Sequence, residues 1–116
     1  MTKTEEKVKT PDKERIQAGQ TLVCVVLEMA GAPKKHIDDA MSLLLDKLEK
    51  KEYIAELVSE EALEAEEHEK HKGLFTTIAE VELWIKKIED IAQLAFEFMP
   101  ASIEVIEPEY PSVSNK

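Results

Sequence analysis

A single cysteine, three glycines and a 5 % share of aromatic residues mark this 116-residue chain. One cysteine excludes an intramolecular disulfide. Cys24 lies in the apolar run LVCVV, where a thiol reads as a small buried hydrophobe. Scarce aromatics leave an aliphatic core. There is no GxSxG elbow, no P-loop and no GxGxxG, and no partner for Cys24 that would make it a nucleophile. No apolar run approaches about 18 residues and no signal-peptide pattern opens the chain, so a soluble, cytoplasmic protein is expected. Basic residues are also short: 15 against 25 acidic give a formal charge of −10. A phosphate backbone or an anionic membrane surface demands the opposite sign, so neither nucleic acid nor membrane is an expected partner.

What is present fits one small domain. Residues 1–18 are dense in charge and nearly free of apolar side chains, so a disordered tail is expected there, and a flexible one over 110–116. Residues 19–109 hold the domain. In 20–29, QTLVCVVLEM, the β-branched valines favour a strand. Leu22 to Leu27 are all apolar, which marks a central strand covered on both faces. From Pro33, Ile37, Ala40, Met41, Leu44, Leu45 and Leu48 share one stripe of a helix. Tyr53–Ser59 is a second strand with no clear burial direction. Residues 60–72 are acidic and read either as a short surface helix closed by Gly73 or as an irregular excursion.

The most patterned stretch is Leu74–Pro108. Phe75, Thr77, Ala79, Val81, Leu83 and Ile85 alternate at period two; Ile88, Ile91, Ala92, Ala95 and Phe98 follow at helical spacing; Ile103 and Val105 resume the alternation. A rival reading takes Thr77–Met99 as one helix opened by a Thr77–Glu80 capping box, which would make the fold an all-α bundle. Two similar strand–helix–strand halves favour an α+β fold instead. The expectation is a ferredoxin-like βαββαβ sandwich, a four-stranded antiparallel sheet with two helices on one face.

The segments LFTTIAEVELW and FEFMPASIEVIEP resemble a small family of uncharacterised archaeal proteins, over about residues 20–109. That resemblance implies an archaeal cytoplasmic origin. The deduced topology is also similar to ACT-type regulatory domains, which bind small ligands at dimer interfaces. This second likeness is one of topology, and no ligand motif accompanies it.

Three constellations are candidates for function. In Gly31–His36, Lys34, Lys35 and His36 occupy a helix N-terminus, where first-turn N–H groups and cationic side chains suit a small anionic ligand, phosphate or carboxylate. Gly31 would let it approach the backbone; the plainer reading has the lysines solvating an exposed turn. His68 and His71, with Glu64 and Glu67, are one helical turn apart, but they are not an HExxH motif and no third ligand is evident, so no metal or other cofactor is expected. The third candidate is an interface. In a split βαββαβ sheet one face stays open, and Val23, Val25, Ile78, Trp84 and Ile106 are assigned to it, with Leu22, Cys24 and Val26 as the other choice on the first strand. The functional expectation is a non-catalytic binding or regulatory domain, a homodimer through its sheet face. A small enzyme acting at the 31–36 turn and an acidic adaptor for a basic protein partner are the alternatives.

Overall fold

Residues 10–108 are described by the computed structural model. Helix α1 (Thr10–Gln17) is followed by strand β1 (Thr21–Gly31), helix α2 (Lys34–Glu49) and strand β2 (Ile54–Ala62). A two-residue strand β3 (Glu66–Glu67), strand β4 (Phe75–Ile85), helix α3 (Asp90–Phe98) and strand β5 (Ser102–Glu107) complete the order. Among the described residues the fold is α+β, an open five-stranded antiparallel sheet with three helices, and the all-α alternative is excluded. The strand order is β2–β4–β1–β5, with β3 paired to β4.

Pairing decides why Phe75–Ile85 is a strand and not half of a helix. β4 runs its whole length along β1, from Gly31 opposite Phe75 to Thr21 opposite Ile85. Its other edge carries β2 and then β3. Its backbone groups therefore have partners on both sides, as a central strand requires. Thr77 caps no helix; its hydroxyl donates to the Leu63 carbonyl.

Alternation then sorts the side chains. Val23, Val25 and Leu27 of β1 and Ala79, Val81, Leu83 and Ile85 of β4 share one face. They pack against Met41, Leu45 and Leu48 of α2 and Leu94 and Phe98 of α3. Each fully buried aliphatic side chain there contributes roughly 1.5–3 kcal/mol. The α2 stripe is as expected, with Ile37, Met41, Leu45 and Leu48 buried. Pro33 stands at the N-cap, one position earlier than expected.

Several expectations need correction. Thr10–Gln17 is helical, because Arg15 ties α1 to the sheet; residues 1–9 and the expected tail over 110–116 lie outside the described residues. Residues 60–72 form no helix: β2 continues to Ala62, and β3 then resumes the pairing further along the same edge of β4. That addition makes the sheet five-stranded. α3 begins at Asp90, so Ile88 sits in the preceding turn and is exposed; Leu94 takes its place in the core.

Candidate functional site

The sheet face away from α2 and α3 carries Leu22, Cys24, Val26 and Glu28 of β1, and Ile78, Glu80, Glu82 and Trp84 of β4, in register. Val23 and Val25, expected on this face, are instead fully buried beneath the helices at 0 % exposure. The odd-numbered set of β1 is core and the even-numbered set faces outward, because Leu83 and Val81, their β4 partners, are the residues the helices cover. Ile106 falls where β5 shifts register against β1 and is half-buried, so simple alternation does not fix its facing. Trp84 is on the open face as expected, yet it is only 2 % exposed. Its cover is α1.

Arg15 reaches from α1 across the indole, its guanidinium carbon 5.7 Å from the ring centroid. Its Nη2 donates to and ion-pairs with Glu56 of β2, and its Nη1 donates to Gln20 Oε1 at 2.9 Å. One end of the open face is thus closed from within the chain.

No described element covers the other end. A cleft of about 550 Å³ lies over Glu28, Ala30 and Ile78, walled by Leu63, Glu64 and Glu66. A second, of about 330 Å³, lies over Val26 and Glu80 and shares Leu63 and Ile78 with the first; Glu61 borders it. Together they make one groove with an aliphatic ridge and a glutamate rim. Leu63 and Ile78 are both exposed there. Among the described residues lining the two clefts, none is basic. Lys34 touches the rim from α2, with Nζ 2.7 Å from Glu64 Oε2.

Cys24 sits between these two ends. Its thiol donates to Glu80 Oε2 at 3.4 Å. Burial first, then the Glu80 hydrogen bond and the charges of Glu80, Glu82 and Glu104, push the thiol up to about 11. Cys24 is buried, as expected, and its acidic neighbours are a second reason for the thiol to keep its proton.

The 31–36 turn does gather Gly31, Lys34, Lys35 and His36, but its cations are engaged. Lys34 Nζ also donates to Asp38 Oδ2 at 3.0 Å, and Lys35 Nζ donates to Asp39 Oδ2 at 2.9 Å. Glu64 and then Asp38 raise the Lys34 pKa by hydrogen bonding. Asp38 Oδ1 accepts from the Ala65 N–H at 2.8 Å, which holds the β2–β3 connection against α2 and lowers the Asp38 pKa, with Lys34 adding to the effect. Gly31 has a packing reason: a Cβ there would lie 2.7 Å from Ile37 Cδ1. In the 60–72 segment, the His68 and His71 rings meet at a tilt of 44° with centroids 4.9 Å apart, on irregular chain and not on the helix that a shared metal ion would have used.

The groove's main residues, Leu63, Glu61, Glu66, Glu28 and Glu80, were not singled out from sequence. A signal existed in the β4 alternation, which places Ile78, Glu80 and Glu82 together on the face opposite the core. The contribution of residues 61–66 needed the extended path that β2 and β3 take.

Among the described residues no helix is long and apolar enough to cross a membrane. Comparison with curated proteins and with solved structures found no match. The MJ0538 family profile matches residues 22–116, in keeping with the resemblance of LFTTIAEVELW and FEFMPASIEVIEP to a small archaeal family, and the chain belongs to the MJ0538 family.

Proposed function

We propose that this protein is a non-catalytic binding module whose open sheet face takes a basic, aliphatic segment of a protein partner. The frame we assign it is a ferredoxin-like βαββαβ fold. In its support, β1, β2, β4 and β5 are wholly antiparallel in the order β2–β4–β1–β5, and the two helices that follow β1 and β4 both contribute to the core on one face. β3 and α1 are additions to that frame.

The observation that carries the binding reading is the groove itself. Exposed Leu63 and Ile78 lie inside a rim of Glu28, Glu61, Glu66 and Glu80. An apolar strip of this kind favours a partner's aliphatic side chains, and the one-signed rim selects partners of positive charge and speeds their encounter. A second copy of this chain is a poorer fit, since it would bring its own glutamates to the same place. The sheet-face homodimer also loses Val23 and Val25, which the core already uses.

The test is a titration of the full chain with a ten-residue peptide of alternating lysine and valine, followed through backbone amide signals. Saturable shifts are expected at residues 26–30, 61–66 and 76–80, with affinity falling about tenfold or more as salt rises from low to physiological strength and beyond. Ile78→Lys should weaken binding by a similar factor. Absence of shifts in those three segments would overturn the reading.

A further inference from the structure

α1 is joined to the domain in a way its sequence does not demand. Lys13, Glu14 and Gln17 are exposed, and an eight-residue helix has little stability of its own. Among the described side chains, Arg15 joins it to the sheet by ion pair and by cation–π contact. The receiving groups come from elsewhere: Trp84 from β4, Glu56 from β2, and Gln20 from the link before β1. Trp84 and Glu56 lie inside the family-matched residues 22–116, whereas Arg15 and Gln20 lie before them.

The chemistry of that pocket is specific. The guanidinium lies over the indole within cation–π reach while its N–H groups donate to a carboxylate and an amide oxygen. An ammonium has neither the plane nor the fork, and it is more strongly hydrated. Gly19, at φ +88°, ends α1: the Gly19 and Gln20 N–H groups donate to the Ile16 and Arg15 carbonyls at 3.0 and 2.9 Å. Along β1, Leu22 beside the pocket and Val26 in the groove stand on the same face, so one extended segment would cross both.

We infer that Trp84, Glu56 and Gln20 form a receptor for one arginine side chain, filled in cis by Arg15 and taken over by an arginine of the incoming basic segment when α1 lifts. This rests on the basic-partner reading only for the source of the second arginine. α1 then acts as a built-in competitor. A tethered ligand acts at millimolar effective concentration, so an arginine from outside binds weakly until Arg15 is removed.

Trp84 is the only tryptophan, so its fluorescence reports the pocket directly. In the full chain carrying Arg15→Ala, n-propylguanidinium should give a saturable change in Trp84 emission. The response should be at least about tenfold weaker in the unaltered protein, where Arg15 competes, and lost when Glu56→Ala is added. Propylammonium should bind several-fold more weakly. A response that does not saturate, that is equal with and without Arg15, or that is equal for the two cations overturns the receptor. If Arg15→Ala fails to fold by far-UV circular dichroism, Arg15→Lys keeps the charge on α1 and the same preference for guanidinium must appear there. The two readings separate cleanly. Guanidinium saturation without lysine–valine peptide binding keeps the receptor and removes the partner face; peptide binding without guanidinium saturation does the reverse.

Discussion

Cys24 shows how a residue's chemistry is set by strands distant in sequence. Glu80 and Glu82 come from β4 and Glu104 from β5, and register alone brings them around the thiol. With the thiol pushed up to about 11, only on the order of one molecule in a thousand carries a thiolate at pH 8. Ellman's reagent should therefore label the native protein far more slowly at pH 8 than it labels the unfolded chain. Glu80→Gln removes the negative charge and replaces the carboxylate by a weaker amide acceptor, both of which favour loss of the proton from sulfur, so it should speed labelling severalfold. Labelling at the rate of a free cysteine would contradict this account. The linkage has a definite sign. A thiol whose pKa is raised on folding stabilises the native state fully below its unfolded value of about 8.5, and that contribution is lost as pH rises through about 11. Tyr53 acts in the same direction: burial, and the bond its hydroxyl donates to Glu97 at 2.8 Å, raise its pKa as well. Burial of Cys24 was legible in the run LVCVV. Its acidic neighbours were not, because pairing across strands leaves no mark in local sequence.

Among elements, α3 separates two phenylalanines that a composition count treats alike. Phe98 is 8 % exposed, packs in the core with Leu94, and lies under the Lys51 ammonium at 5.9 Å; Phe96 is 84 % exposed. Phe98→Ala should cost about 3–5 kcal/mol, as core truncations of this size do. Phe96→Ala should stay within about 0.5 kcal/mol, as for ordinary surface changes. Urea unfolding midpoints compare them directly, and equal losses would mean that α3 is rotated from the orientation described. The helix itself was legible from spacing, and Ile91 and Phe98 of the expected stripe do pack on the core, whereas Ile88 falls two residues before the helix and Ala92 is exposed. β2 was harder for a physical reason. Its pairing with β4 shifts register between Ile54 and Glu56 and again between Leu57 and Ser59. Each bulge resets the period of two, so Ile54 and Leu57 both pack toward the core from positions three apart. A uniform alternation cannot find that. β4, with no register shift against β1, was read correctly along its whole length.

For the molecule as a whole, charge decides what the bare half of the sheet can meet. The formal charge is −10, and Glu28, Glu61, Glu66, Glu80, Glu82 and Glu104 stand on or around the one face that α2 and α3 leave open. Two copies docked there would set these carboxylates against one another. Repulsion of that kind reaches about 30 Å at 0.01 M salt and about 8 Å at 0.15 M. Yet the apolar strip of Val26, Leu63 and Ile78 beneath is the sort of surface that does associate once unguarded. The protein should therefore show the mass of one chain, 13.2 kDa, by light scattering at low salt and about 100 μM. Replacing Glu28, Glu61 and Glu80 together by glutamine should let it self-associate at the same concentration. The two results belong together: the charge that would keep copies of this chain apart is the charge on which the proposed basic segment depends. A dimer of the unaltered protein at low salt would show that the glutamates are no barrier, and would return the open face to self-association.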